Sequence, residues 1–145
     1  MNLGLDQKVI LVTGGAKGIG EGIVRLLADE GAIPVIVGRN EEDNRKLVQE
    51  LEQTGKTAYQ VVAELTRPEE NKTAVEMVLD HFGRIDGLVN NAGVNDGVGL
   101  ENGNYKMFIE SLHRNLVHYY LMAHYSLPAL ISSMGSIVNI GSRTA

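Results

Sequence analysis

Short apolar runs alternate with longer amphipathic segments along this chain. Val9–Val12, Pro34–Val37, Ala58–Val62, Gly87–Val89 and Ser136–Ile140 are brief, rich in β-branched residues and bounded by turn formers, which predicts strands. Between them, apolar positions recur at helical spacing over Gly20–Glu30, Glu42–Thr54, Pro68–Phe82 and one long segment from about Asn104 to Ile131. Pro68 suits a first helical turn, where its missing N–H costs nothing. Gly31, Gly55 and Gly83 follow three of these segments as helix stops. Strands and helices in alternation predict an α/β fold, a parallel sheet with helices on both faces. There is no repeat, low-complexity stretch or linker, so residues 1–145 read as a single domain. Only Gly141–Ala145 follow the last strand, whose outer edge then needs a neighbour. The expectation is a doubly wound sheet cut short after its fifth strand.

Composition narrows the classes. Hydrophobic residues make up 43% and charged residues 21% of the 145, as in an ordinary globular chain. The net charge of -5 argues against a nucleic-acid partner. No apolar run is long enough to span a membrane, and MNLGLDQKVI lacks the regions of a signal peptide. Without cysteine there is no disulfide framework or thiolate metal site. A cytoplasmic location is expected. His113, His118 and His124 are five and six residues apart, spacings that do not stack imidazoles on one helix face, so no metal is expected.

The chemistry concentrates after the strands. VILVTGGAKGIG, Val9 to Gly20, runs from an apolar strand through Gly14, Gly15, Gly18 and Gly20 into a helix. A helix N-terminus attracts an anion through its unpaired N–H groups and its dipole, and glycines let the backbone approach closely. That arrangement predicts a dinucleotide-binding βαβ unit. After the second strand stand Gly38-Arg39-Asn40, with no acid at the strand end to take a ribose 2′-OH. Arg39, with its planar fork, and Lys17 could instead hold a 2′-phosphate, which favours NADP over the alternative, NAD. Glu41, Glu42 and Asp43 are expected to open the next helix, although one could reach a ribose hydroxyl. Asn90-Asn91-Ala92-Gly93 follows the fourth strand, where small residues leave room for a ligand. Asn115 in HRNLVHYY and Ser142 in VNIGS are unremarkable when taken alone. Tyr119, Tyr120, Met122 and Tyr125 read as helix packing.

Together TGGAKGIG, NNAG, Asn115 with Leu127-Pro128, and IVNIGS resemble the short-chain dehydrogenase/reductase family across essentially all of the chain. Within it, DGLVNNAGVNDGVGL and RNLVHYYLMAHY look most like bacterial sugar dehydrogenases of the L-fucose dehydrogenase type. The resemblance implies a Rossmann-type sheet and an NAD(P)-dependent hydride transfer. It implies that Gly14, Gly18 and Gly20 shape a diphosphate loop with Ile19 beneath the nicotinamide. Glu64 and Leu65 would lie near the adenine, with glutamate where the family usually has aspartate. Asn91, Ala92 and Gly93 would lie against the adenosine and ribose. Asn115 would support a proton-relay water and Ser142 would hydrogen-bond the substrate oxygen. It also implies a homo-oligomer, paired through the long helix.

One part of that pattern is missing. The family's general acid/base tyrosine is followed four positions later by a lysine, and none of Tyr59, Tyr105, Tyr119, Tyr120 and Tyr125 is. The expectation is therefore the N-terminal part of an oxidoreductase, inactive alone. Its small-molecule substrate would be a sugar or polyol, since Asn95, Asp96, Glu101 and Asn102 make the loop after NNAG polar. A ketoacyl or other small carbonyl substrate stays open. So does a stand-alone dinucleotide-binding module without catalysis. A methyltransferase of similar fold fits the TGxxxGxG spacing and NNAG poorly.

Overall fold

The computed structural model describes residues 1–142, so the last three residues of the expected domain lie outside the described residues. Five strands, β1 (Val9–Thr13), β2 (Ile33–Gly38), β3 (Tyr59–Val62), β4 (Gly87–Asn90) and β5 (Ser136–Asn139), form one parallel sheet in the order β3-β2-β1-β4-β5. The helices are α1 (Gly18–Asp29), α2 (Glu41–Gln53), α3 (Pro68–Phe82), α4 (Tyr105–Leu112) and α5 (His118–Ser133).

The period-2 alternation of the strands sorts the core into two layers. Val9 and Leu11 of β1, with Val35 and Val37 of β2, pack against Ala74, Val75 and Val78 of α3 and Met122 and Leu130 of α5. Ile10 and Val12, with Ile36, face the other way, toward Val24 and Ala28 of α1 and Leu47 and Leu51 of α2. Both faces are covered, which is why β1 is buried at every position. Gly31, Gly55 and Gly83 stop their helices at φ of 81°, 78° and 70°, a conformation that glycine adopts without strain. At the amino end of the sheet, the Asp86 carboxylate accepts the Val9 N–H at 2.9 Å and pairs with Arg84 at 2.5 Å. β5 has β4 on one side and is exposed along its length.

The long fourth helical segment, expected from about Asn104 to Ile131, is one unbroken run from Tyr105 to Ser133, but it contains a π-helical turn, His113–Val117, between α4 and α5. Asn115 lies in this turn, and its amide donates to the Ser111 carbonyl four residues back at 3.2 Å. Hydrophobic spacing continues unbroken through the turn, so periodicity does not reveal it.

Candidate functional site

Strand order reverses between β2-β1 and β4-β5, so the loops leaving β1 and β4 diverge and open a crevice at the carboxyl end of the sheet. A groove of about 1000 Å³ occupies this position. Its walls include Gly14, Lys17 and Ile19 from the first loop, Arg39 after β2, Glu64 and Leu65 after β3, and Asn91, Ala92 and Gly93 after β4. Most of the residues singled out in the sequence are thus brought together by one feature. Gly18 and Gly20 belong to the first turn of α1 beside it.

The loops are locked to one another by hydrogen bonds. The Thr13 hydroxyl accepts the Asn91 N–H at 2.9 Å and the Ala92 N–H at 3.0 Å. The Asn91 amide donates back to the carbonyls of Thr13 and Gly14 at 3.0 and 3.2 Å. Gly14 has a φ of 63° and donates its N–H to the Val37 carbonyl at 2.8 Å, tying the turn to β2. A Cβ at Gly20 would overlap the Gly14 carbonyl oxygen and stand 2.6 Å from the Asn91 amide nitrogen, so only glycine fits. Gly18 needs glycine for a different reason: its φ is 55° and the space around it is open. Among the described residues no side chain caps α1 at Lys17, whereas Asn40 caps α2 and Asn104 caps α4. The start of α1 therefore meets the groove without a side-chain acceptor on its first-turn amides.

Charge at the mouth is arranged in pairs. Lys17 lies 2.8 Å from Asp43, and Arg39 lies 3.6 Å from Glu64. Burial works to raise the Glu64 carboxyl, but the N–H and hydroxyl of Thr66, together with Arg39, outweigh it and hold it below the usual glutamate range. Both Thr66 groups donate to the same Glu64 oxygen, at 3.1 and 2.9 Å. Glu41, Glu42 and Asp43 form the first turn of α2, as their charge predicts.

Asn115 and Ser142 are not part of the groove wall. Asn115 stands behind it: its Oδ1 accepts the Val94 N–H at 2.7 Å and fixes the chain just after NNAG. Ser142 is exposed, three residues past the end of β5. Several groove residues escaped the sequence reading. Asn44 donates to the Gly38 carbonyl at 2.9 Å, and Ser111 donates to Asp96 at 3.1 Å. Arg114 also pairs with Asp96, at 3.6 Å. His118 is 2% exposed with its Nε2 2.8 Å from the Arg114 carbonyl, and burial lowers its pKa. Each contact depends on which carbonyl or carboxylate the fold brings beside the side chain, so residue spacing gives no sign of it. Among the described residues no group of three or more His, Asp or Glu side chains is placed to hold a metal ion.

The short chain dehydrogenase family model matches residues 8–145. The chain belongs to this family. It is 37% identical over 136 residues to the L-fucose dehydrogenase of Bos taurus, covering 93% of this chain and 49% of that protein. Cj0485 dehydrogenase, a solved structure, is 40% identical with a TM-score of 0.90, over 99% of this chain and 55% of its own. A metagenomic short-chain oxidoreductase solved in complex with NADP is 33% identical with a TM-score of 0.88, over 95% of this chain and 63% of that one. The chain spans about half the length of the L-fucose dehydrogenases it matches. Those enzymes are mammalian.

Proposed function

We propose that residues 1–145 are the dinucleotide-binding domain of an oxidoreductase that exchanges hydride between NADP and an alcohol or carbonyl carbon of a sugar or polyol. The observation that carries this reading is the groove at the strand-order reversal, where the glycine turn, NNAG and Arg39 converge. Its residues fit a dinucleotide. Gly20 lets α1 start hard against the Gly14 carbonyl and the Asn91 amide, and the start of α1 offers amides and a positive dipole end to a diphosphate. Leu65 and Ala92 give the wall an apolar surface for a base, and Asn91 and Gly93 border the space for a ribose. Arg39 and Lys17 are the cations assigned to a 2′-phosphate, and a family relative solved with NADP supports this choice. NAD is the rival cofactor, because both cations already have carboxylate partners.

When bound, the nicotinamide supplies the hydride donor or acceptor. The chain's own residues bind and position. Asn91 and Thr13 hold the two loops at a fixed separation. Asn115 fixes the chain at Val94 and is assigned the support of a proton-relay water. Ser142 is assigned a hydrogen bond to the substrate oxygen. General acid/base help is worth about 10²–10⁴-fold, and no tyrosine in these residues has a lysine four positions on. The 145 residues alone are therefore assigned cofactor binding without turnover. A small polar substrate is supported by Asn95 and Asp96 in the groove wall and by the name of the L-fucose dehydrogenases.

Homo-oligomerisation is part of the same reading. Tyr105, Phe108, Leu116, Tyr120, Leu127 and Ile131 are exposed along α4, the π turn and α5, an apolar surface suited to a second copy. Among the described residues no helix is long and apolar enough to cross a membrane, and we assign the protein to the cytoplasm.

Arg39→Asp tests the cofactor assignment. NADP affinity should fall at least about tenfold more than NAD affinity in calorimetric titrations, the size of one charge-assisted contact. Equal losses for both would remove the phosphate role. An assay over aldoses and hydrophobic ketones with the protein as expressed in its host tests the substrate, and activity on the ketones alone would overturn the sugar reading.

A further inference from the structure

Arg39 and Glu64 meet on the groove wall just past the ends of the neighbouring strands β2 and β3, 3.6 Å apart. That is beyond the 2.7–2.9 Å of a tight charge-assisted hydrogen bond, so the contact is one that an arginine can leave. The two partners differ in freedom. The Arg39 side chain is 73% exposed, whereas that of Glu64 is 29% exposed. One Glu64 oxygen is held by the N–H and the hydroxyl of Thr66. Its own N–H donates to Glu70 at 2.5 Å, and Glu70 in turn pairs with Arg67 at 2.9 Å. The turn between β3 and α3 thus fixes a negative charge, and Arg39 is the partner able to move.

We propose that Glu64 is a specificity-determining residue: its anchored carboxylate competes with an adenosine 2′-phosphate for Arg39 and repels that phosphate. The site then accepts both phosphorylated and unphosphorylated adenosine. With an unphosphorylated ligand, Arg39 keeps Glu64 as its counterion. With a phosphorylated one, Arg39 turns outward to the phosphate and leaves Glu64 to Thr66 alone. The inference rests on the reading of Arg39 as the residue that meets the 2′ position. Asp43 is not assigned the same role, because it pairs with Lys17 and not with Arg39, the residue read as meeting the 2′ position.

The test is calorimetric titration of the chain with 2′,5′-ADP and 5′-AMP, comparing wild type, Glu64→Gln and Arg39→Ala. Glu64→Gln keeps the shape and a carbonyl acceptor for Thr66 while removing the charge. It should raise the ratio of 2′,5′-ADP to 5′-AMP affinity about fivefold, the effect of one like charge at a half-exposed site. Arg39→Ala should lower the same ratio. If Arg39→Ala lowers it and Glu64→Gln leaves it unchanged, the Glu64 proposal is overturned and the Arg39 reading stands. If Arg39→Ala does not change the ratio, both fall. Should Glu64→Gln unfold, Glu64→Asp, which draws the charge back by one methylene, should give a smaller rise in the same direction, and no rise overturns the proposal.

Discussion

Asn91 and Thr13 bind each other in both directions. The Thr13 hydroxyl accepts the Asn91 N–H at 2.9 Å, and the Asn91 amide donates to the Thr13 carbonyl at 3.0 Å. The two residues come from the carboxyl ends of neighbouring strands, so this exchange sets the width of the crevice between their loops. Thr13 is fully buried and also accepts the Ala92 N–H. Thr13→Val is nearly isosteric but strands two N–H groups, which should cost roughly 2–4 kcal/mol of stability. Thr13→Ser should restore most of the loss. Urea denaturation midpoints check both, and a valine variant within about 0.5 kcal/mol of wild type would show that water replaces the hydroxyl without cost.

The glycines of the first turn separate steric from conformational need. Gly20→Ala drives a methyl group into the Gly14 carbonyl and the Asn91 amide, both of which are already engaged. Overpacking of this kind costs about 1–3 kcal/mol, and displacement of the loop should also abolish measurable binding of 5′-AMP. Gly22, two residues further along α1, is exposed, and a Cβ there meets nothing within 4 Å. Gly22→Ala should raise stability by about 0.5–1 kcal/mol. Thermal melts and titrations of the pair distinguish the two effects, and a neutral Gly20→Ala would mean that the turn is more pliable than its contacts indicate.

The sequence carried most of this architecture because every strand contains a short apolar run and three helices are followed by glycine. Buried parallel strands leave such runs whatever their order in the sheet. The strand order β3-β2-β1-β4-β5 is seen only in the structure, because periodicity carries no information about which strands are neighbours. Gly14, Arg39 and Asn91 of the groove, and Gly20 beside it, were legible because backbone geometry or charge demands those residue types after the strands. Asn44, Thr66, Arg114 and His118 were not legible. Their roles depend on which carbonyl or carboxylate folding brings beside them, as with the Thr66 hydroxyl on Glu64 and the Asn44 amide on Gly38. The π turn was hidden for a related reason, since the apolar spacing continues unaltered through it.

Asn115 couples that turn to the groove. Its Oδ1 holds the Val94 N–H at 2.7 Å while its amide takes the Ser111 carbonyl. Asn115→Ala removes both, so the Val94 amide should lose protection and the π turn should relax toward regular helix. Hydrogen exchange followed at single amides should show at least about tenfold faster exchange at Val94, with β1 unaffected. Unchanged exchange at Val94 would mean that the loop after NNAG is held by other contacts.

His118 provides a pH test of the interior. It is 2% exposed, and its Nε2 lies 2.8 Å from the Arg114 carbonyl, a pairing that requires the proton on Nε2. Nδ1 then has no hydrogen-bond partner among the described residues, so protonating it would leave a charged N–H buried. Burial accordingly lowers the folded-state pKa, and the Arg114 carbonyl and the Glu64 charge offset this only in part. Because the folded value lies below the unfolded one, the unfolded chain binds the extra proton first as pH falls. The His118 contribution is complete above about pH 6.5 and declines below it until the folded value is passed, at no more than about 1.4 kcal/mol per pH unit. Carboxylates with lowered values, such as Asp86, lose their contribution at lower pH, from the ordinary aspartate value downward. Stability measured by urea denaturation between about pH 7 and pH 5 should therefore fall in the wild type. In His118→Gln, which keeps an amide donor for Arg114 and does not titrate, the fall should be shallower. Identical slopes for the two proteins would show that the imidazole accepts its second proton in the folded state without penalty, and the core around Met122 would then have to contain water.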